Sequence, residues 1–312
     1  MTNNKTVKVI FVGKPGMGKT TMKKVIFEGT DPNELILFPL EATIGSKYSV
    51  HDFMDLNISL VDTPGQSMPI LLEDEDQQIR TFENASAIIY FFDYNLWRSQ
   101  PNEVIEDIKR IYDINKKYEF GAKINLYLHK IDLIDQNIIG KYDLLKNQII
   151  NQLELPEELQ IYFTSLHPNL IYTMYNALSD TLSTFSPDIS NLKKIITKII
   201  NDLTKTICFV TNQDNNIISQ AMTKDFDTKT IFSLYDKIIQ MSQSGEGIPS
   251  NKESFELIES GSNFLNAMTG ELAKFHFKFK KVILISETLG KNELIRIIQQ
   301  LKNSLQHHYN SS

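Results

Sequence analysis

The sequence contains a single cysteine, Cys208, and little glycine or proline. One cysteine in 312 residues excludes an internal disulfide framework, a zinc ribbon and a CxxC redox motif, and it fits a reducing compartment. The chain has 13 glycines and 10 prolines, so few of its residues interrupt helices and strands. We therefore expect regular secondary structure throughout, with few loose linkers.

The sequence also lacks an excess of positive charge and a long apolar run. Lys and Arg number 32 and Asp and Glu number 38, so the formal net charge is −6, which is not the footprint of a general nucleic-acid binder. No stretch reaches the roughly 20 apolar residues of a membrane-spanning helix, and no signal peptide or lipidation motif is recognisable. These absences predict a cytoplasmic protein with no nucleic-acid partner and no direct membrane anchor.

What the sequence does contain is enough apolar residues, 41%, for a core in each of about two domains. Residues 5–185 alternate short apolar runs with amphipathic stretches, which predicts an α/β fold with a mostly parallel six-stranded sheet. The second and third strands are separated only by Met54 and Asp55, so this pair is predicted to be antiparallel. The predicted strands are 7–12, 46–53, 56–61, 86–92, 123–128 and 160–163, and the predicted helices are 19–29, 73–83, 101–117, 136–151 and 168–184.

A proline and polar residues near 186–190 predict a boundary, which gives domains of residues 1–186 and 187–312. An apolar stripe with helical spacing follows, from Leu192 to Leu203. The order of elements after the boundary is α-β-β-α-β-β-β-α, which predicts an α+β domain with one antiparallel sheet. Its predicted strands are 206–211, 216–221, 254–260, 272–279 and 281–286, with further helices at 226–241 and 290–305.

Residues Gly13–Thr20, GKPGMGKT, match the phosphate-binding pattern GxxxxGK[ST] and lie between a predicted strand and a predicted helix. Glycines allow backbone N–H groups to approach phosphates, and the helix N-terminus adds partial positive charge. Lys19 is expected to neutralise the β- and γ-phosphates, and the Thr20 hydroxyl to bind Mg²⁺. The predicted nucleotide contacts in this loop are Gly13, Lys14, Gly16, Met17, Gly18, Lys19, Thr20 and Thr21.

A second motif, DTPGQ, follows the third predicted strand. Asp62 is expected to hold Mg²⁺ through water, the Gly65 N–H to face the γ-phosphate, and Gln66 to orient the attacking water as the catalytic residue. Upstream, Thr43 is a second candidate hydroxyl ligand, so the predicted metal site comprises Thr20, Thr43 and Asp62. Loss of the γ-phosphate would release both loops, as in a GTPase switch.

A third motif, His129-Lys130-Ile131-Asp132, ends the fifth predicted strand. The Asp132 carboxylate can accept hydrogen bonds from guanine N1–H and its exocyclic amine, which adenine does not offer in that arrangement. The Lys130 stem can lie along the ring, and His129 stands where most small GTPases carry Asn. Ser165, after the next strand, is a candidate backbone donor to the guanine oxygen.

Together, the loop GKPGMGKTTM, the segments ATIG and DTPGQ, and above all HKID with the later FTS resemble the Rag/Gtr family of GTPases. The region from Leu192 is similar to the roadblock domain of that family. The resemblance implies GTP and GDP binding with Mg²⁺, and a heterodimer with a second Rag/Gtr-like subunit. It also implies nutrient signalling of the TOR type, activating and exchange proteins, and recruitment by a membrane scaffold to an endolysosomal or vacuolar surface. Pro64 departs from the usual glycine, but Gly65 carries the γ-phosphate contact.

Three functions follow from these motifs. The first is a switch that binds GTP and hydrolyses it slowly, because no intrinsic arginine finger is recognisable. The second is a catalytically weak partner subunit that serves mainly for heterodimerisation. The third, an ATP-dependent P-loop enzyme, requires Asp132 to be incidental.

Several residues have simpler interpretations. Cys208 is expected in the core, and the six histidines show no metal-ligand spacing. The acidic run 73–76 is expected to begin a helix. Trp97 and Arg98 are placed in a loop, and Asp93 at the end of a strand.

Overall fold

The computed structural model describes residues 5–37, 40–41, 43–53, 56–134, 142–156, 159–167, 170–213, 217–226, 253–260, 263–272 and 279–310. By its contacts the chain divides into two compact units, Met1–His167 and Pro168–Ser312. The division after residue 186 stays a prediction of the sequence. Among the described residues, no helix combines the length and the apolar character that crossing a membrane requires.

The first unit is built on a six-stranded sheet with the order β2-β3-β1-β4-β5-β6. The β2–β3 pair is antiparallel and the other four pairs are parallel. This confirms the predicted α/β class with one antiparallel strand, although Met54 and Asp55 lie outside the described residues. The strands are β1 Lys5–Val12, β2 Lys47–Phe53, β3 Leu56–Asp62, β4 Ala87–Asp93, β5 Lys123–His129 and β6 Gln160–Phe163.

The helices of this unit follow the sequence with three differences. One helix, Pro32–Leu37, was not predicted. The predicted helix 73–83 is two helices that meet at Asp74, and the predicted loop around Trp97 and Arg98 is a short helix. The predicted helix 136–151 is described from Tyr142 onward, and its first part lies outside the described residues. The helices are α1 Lys19–Met22 with a π-helical continuation Lys23–Phe27, α2 Pro32–Leu37, α3 Met68–Glu73, α4 Glu75–Phe82, α5 Tyr94–Ser99, α6 Pro101–Lys117 and α7 Tyr142–Leu153.

Aspartates cap two of these helices. The Asp74 side chain accepts a hydrogen bond from Gln77 N at 2.9 Å, and Asp93 accepts one from Leu96 N at 2.8 Å. Asp74, Glu75 and Asp76 therefore begin α4, as predicted for the acidic run, whereas Glu73 ends α3.

All seven residues of β4 are buried, as expected for a central strand of a parallel sheet covered on both faces. Aromatic rings link neighbouring strands: the centroid of Phe91 lies 5.2 Å from that of Phe11 and 5.3 Å from that of Tyr127. Because the parallel strands end at one edge of the sheet, the loops after β1, β3, β4, β5 and β6 meet there. This edge is where the sequence places its candidate site residues.

The second unit contains a five-stranded antiparallel sheet with the order β8-β7-β11-β10-β9, which fits a roadblock-like domain. Helix α9 packs against α10 and on the sheet, and Cys208 is buried in β7, as predicted. The strands are β7 Thr206–Thr211, β8 Ile217–Met222, β9 Ser254–Ser260, β10 Asn263–Glu271 and β11 Lys281–Ser286, and the helices are α8 Tyr172–Ser183, α9 Pro187–Ile200 and α10 Lys291–Asn310.

Two predictions for this unit need comment. The helix over 226–241 lies almost wholly outside the described residues. The strand over 272–279 is wrong at both described ends, since Leu272 and Phe279 are not in a strand; residues 273–278 lie outside the described residues. Among the described residues, a strand that the sequence did not predict, β10, lies just before this segment.

Candidate nucleotide-binding site

A cavity of about 460 Å³ lies at the carboxyl edge of the first sheet. It is lined by three separate loops that the sequence analysis singled out. The predicted site residues that line it are Gly16, Met17, Gly18, Lys19, Thr20, Thr21, Thr43, Gly65, Gln66, His129, Lys130 and Asp132. Gly13, Lys14, Asp62 and Ser165 lie beside the cavity and contact other site residues.

The loop Gly13–Gly18 needs glycine for conformation and for space. Gly13 has φ +139° and Gly18 has φ +85°, a region that other residues rarely adopt. A Cβ on Gly13 would stand 2.3 Å from the Phe91 carbonyl oxygen, and one on Gly18 would stand 2.5 Å from Cδ2 of His129. The loop is therefore packed directly on the ends of β4 and β5.

Lys19 is buried at the start of α1, and its ammonium group is held by the loop itself. Its Nζ donates to the carbonyl oxygens of Gly13 at 2.6 Å and Lys14 at 2.9 Å. Burial lowers the pKa of Lys19 to about 8, and the nearby Asp62 carboxylate partly opposes this shift. A phosphate group in the cavity would supply the negative charge that this buried cation lacks.

Lys14 points away from this cavity. Its ammonium group pairs with the Glu103 carboxylate on α6, so the phosphate-binding loop is tied to that helix.

The three predicted metal ligands meet at one point. The Thr20 hydroxyl donates to Oδ2 of Asp62 at 2.7 Å, and it lies 2.7 Å from the Thr43 hydroxyl. The other oxygen of Asp62, Oδ1, is buried without a hydrogen-bond partner, and burial raises the pKa of this carboxyl group. Two hydroxyls and a carboxylate are oxygen donors of the kind that Mg²⁺ prefers, and the orphaned Oδ1 can accept from a water of its shell. The donor set therefore fits this ion.

The segment after Asp62 is fixed to the rest of the site by backbone packing. The Thr63 hydroxyl donates to the Phe11 carbonyl oxygen at 2.7 Å, which joins the ends of β3 and β1. Pro64 is buried and precedes a 3-10 turn, Gly65–Ser67. Gln66 is exposed and lines the cavity, so its amide is accessible from the side where a γ-phosphate would lie.

His129 occupies the buried centre of the base-reading motif. Its Nδ1 lies 3.0 Å from the Thr164 hydroxyl, and its ring meets Phe91 edge-on with centroids 5.9 Å apart. Burial lowers the pKa of His129 to about 4, so the ring is neutral at physiological pH. Through its contact with Gly18, this neutral ring connects the base-reading loop with the phosphate-binding loop.

The two charged side chains of the motif, Lys130 and Asp132, also have hydrogen-bond partners. Lys130 has φ +59°, and its Nζ donates to Oδ2 of Asp93 at 3.0 Å. The Ser165 hydroxyl donates to Oδ1 of Asp132 and accepts from the backbone N of His167 at 2.9 Å. Ser165 thus meets Asp132 through its side chain, whereas the sequence analysis considered only its backbone.

Sequence reasoning missed the supporting roles of Asp93, Thr164 and Thr63. Each of these residues ends a strand of the parallel sheet or directly follows one. This position at the carboxyl edge of the sheet is the feature of the sequence that could have identified them. The sequence does not show that Thr63 meets Phe11, Thr164 meets His129 or Asp93 meets Lys130, because these partners are far away along the chain.

Comparison with known proteins places this arrangement among G proteins. Residues 8–241 match the Gtr1/RagA G protein conserved region. The chain is 26% identical over 197 residues to the GTP-binding protein GTR1 of Saccharomyces cerevisiae, with 61% of each chain covered. It is 27% identical over 187 residues to the Ras-related GTP-binding protein A of Dictyostelium discoideum, with 60% of each covered. The human Ras-related GTP-binding protein C matches at 23% over 269 residues, covering 81% of this chain and 64% of that protein. The chain thus spans roughly three fifths of the length of these relatives.

Proposed function

The chain belongs to the Gtr1/RagA family of G proteins, and from that premise we propose that it is a guanine-nucleotide switch that binds GTP and GDP with Mg²⁺. The observation that carries the proposal is the convergence of three motifs on one cavity. Lys19 and the glycine loop supply a phosphate site, Thr20 with its neighbours supplies oxygen ligands, and Asp132 supplies the guanine-reading carboxylate.

Binding the phosphates would use groups that are already placed for it. The backbone N–H groups of the loop and the N-terminus of α1 offer positive partial charge, and Lys19 offers a full charge. A bound Mg²⁺ would neutralise charge on the β- and γ-phosphates. Thr20, Thr43 and Asp62 are the residues that would hold it, and this role of Thr43 would make the loop before β2 sensitive to the γ-phosphate.

Hydrolysis would depend on Gln66, which would orient a water molecule towards the γ-phosphate. None of the described residues that line the cavity is an arginine, so among them there is no arginine finger to add to the charge of Lys19 in the transition state. We therefore expect a low intrinsic rate that an activating protein raises, and an exchange protein that restores GTP.

The proposed biological setting rests on the family. The second unit, with its roadblock-like sheet, is proposed to pair with a second Rag/Gtr-like subunit. Recruitment by a scaffold to an endolysosomal or vacuolar membrane, and a role in TOR-type nutrient signalling, complete this proposal.

A second candidate function is a catalytically weak partner subunit within such a heterodimer. One observation favours a role in pairing: the match to the Ras-related GTP-binding protein C covers 81% of this chain, so the likeness extends beyond the first unit into the second. In this function the nucleotide would stabilise the subunit, and pairing through the second unit would be its main activity.

The decisive experiment is a titration of purified protein with labelled GTP and GDP in Mg²⁺, followed by single-turnover hydrolysis. The switch requires saturable binding that unlabelled ATP does not displace, and slow hydrolysis that Gln66→Leu abolishes. Tight binding with no hydrolysis in either protein would favour the partner subunit. Absence of saturable guanine-nucleotide binding, or displacement by ATP, would overturn both.

A further inference from the structure

Asp93 ends β4 beside the base-reading motif, and its two carboxylate oxygens have different partners. Oδ1 accepts a hydrogen bond from the backbone N of Leu96 at 2.8 Å and so caps α5. Oδ2 accepts one from Nζ of Lys130 at 3.0 Å. The cap of α5 uses only Oδ1. The ion pair between Oδ2 and Lys130 does not contribute to that cap, so it calls for a separate explanation.

The register of the sheet brings the two charged side chains together. Asp93 is directly paired with His129 in the parallel β4–β5 ladder, so the carboxylate lies at the point where the base-reading loop leaves the sheet. Lys130 then adopts a left-handed backbone conformation with φ +59°. This conformation is costly for a lysine, and it is maintained where neighbouring contacts fix the loop.

The ion pair is largely shielded from solvent. The side chain of Asp93 is 12% exposed and that of Lys130 is 30% exposed. A long lysine side chain has many rotamers, and a charged hydrogen bond at its tip selects among them. Lys130 lines the nucleotide cavity, and the hydrogen bond from its Nζ to Asp93 restricts the positions that its aliphatic stem can take there.

We propose that Asp93 is a positioning residue for guanine-nucleotide binding, which acts by holding Lys130 so that its stem forms one face of the base site. The inference rests on the proposed function and extends it to a residue outside the three motifs. Asp93 lines no part of the cavity itself, so its effect passes through Lys130.

This role predicts a particular pattern of specificity. A methylene stem against the face of a purine has no donor or acceptor with which to read the base. If the Lys130 stem loses its position, the affinities for GDP and inosine diphosphate should fall equally. The two nucleotides differ only in the exocyclic amine, which Asp132 would recognise. Loss of Asp132 should instead change the ratio of the two affinities.

The test is a double-mutant cycle of Asp93→Asn and Lys130→Met, with affinities for GDP and inosine diphosphate measured in Mg²⁺. Asparagine retains an oxygen for the cap on Leu96 N but removes the negative charge from Lys130. We expect each single variant to weaken both nucleotides about 10-fold or more, as for a lost hydrogen bond to a charged group. The double variant should be no weaker than Lys130→Met alone.

Two measurements separate this role from a general loss of stability. Asp74→Asn alters the cap of α4, which lies outside the cavity, and should leave nucleotide affinity unchanged. Lysine acetylation followed by mass spectrometry should show faster modification of Lys130 in Asp93→Asn than in the unaltered chain, with no nucleotide present. This second measurement reads the ion pair even in a protein that binds no nucleotide.

The outcomes are distinct. If the unaltered protein binds nucleotide but the two substitutions are additive, or Asp93→Asn has no effect, the inference is wrong and the proposed function stands. If Lys130 reactivity is the same in both proteins, the ion pair does not hold the side chain and the inference is again wrong. Failure of the unaltered protein to bind any guanine nucleotide overturns the proposed function and this inference with it.

Discussion

The backbone of Gly65 lies directly against that of Pro15, so closely that a Cβ on Gly65 would stand 2.3 Å from the Pro15 nitrogen. The segment that carries Gln66 and the phosphate-binding loop therefore touch through their main chains, with no side chain between them. Because of this contact, a nucleotide that moves one of these segments will also displace the other.

The first prediction concerns this contact. Gly65→Ala should weaken GTP binding more than GDP binding, because the added methyl group pushes the segment away from the place where a γ-phosphate would lie. The measurement is the ratio of the two affinities. Gly290→Ala is the matched control, since a Cβ there meets nothing closer than Glu293 Oε2 at 3.6 Å. Equal losses for the two nucleotides would contradict the prediction.

The second prediction concerns the metal ligands. Thr20→Ala should weaken both nucleotides and reduce the Mg²⁺ dependence of each, by about 10-fold or more for a lost bond to a charged group. Thr43→Ala should weaken GTP selectively, because its loop is proposed to respond to the γ-phosphate. Titrations of Mg²⁺ at fixed nucleotide give the comparison, with the exposed Thr197→Ala as control. A selective loss of GDP binding in Thr43→Ala would be the opposite of what we expect.

The third prediction concerns the pH dependence of stability. The pKa of His129 is lowered to about 4 in the folded protein, from 6.5 for an ordinary histidine. Between these values the unfolded chain binds a proton that the folded chain does not, so the free energy of unfolding should fall as the pH is lowered. The full difference is about 3 kcal/mol. Denaturation across this range should show a smaller slope in His129→Asn, and an unchanged slope would disprove the assignment.

The fourth prediction concerns Lys19, whose pKa is lowered to about 8. Phosphate groups favour the protonated amine, so binding above this pH requires the uptake of a proton. The affinity for GDP should therefore decline as the pH rises past 8, by up to about 10-fold per pH unit. Lys19→Gln should bind GDP weakly at every pH and should not show this decline. Isothermal titration in two buffers of different ionisation enthalpy measures the proton uptake directly, which we expect for the unaltered protein and not for the variant.

Much of the first unit was predictable because residues that are close together in the sequence determine the geometry of its motifs. A strand, a glycine loop and a helix in direct succession place Lys19 and Thr20, and the position of Asp62 at the end of β3 brings it to them. The same local logic gave the antiparallel β2–β3 pair. What these cases share is that sequence neighbours determine the arrangement.

One element that was not predicted, strand β10, makes a close contact with a residue that is distant in the sequence. Strand β10 contains Gly270, and glycine disfavours strands. Glycine is nevertheless needed at this position, because a Cβ there would stand 2.7 Å from Cγ2 of Ile298 on α10. The alternating aromatic run that follows has the stronger strand pattern in the sequence, and its residues 273–278 lie outside the described residues. Helix α5 is a different case, because its cap is local: Asp93 accepts a hydrogen bond from the nearby Leu96 N, but the helix is too short to show helical periodicity in the sequence.

Helix α5 has a consequence for fluorescence measurements, because it carries Trp97. The sequence contains this one tryptophan and 12 tyrosines. The indole is buried, and its ring centroid lies 6.3 Å from that of Phe92. Trp97 is thereby linked to the base site through the carboxylate that caps its helix. The molecule thus contains an intrinsic optical reporter: its emission spectrum should respond to loading with unmodified nucleotide, without a dye attached to ligand or protein.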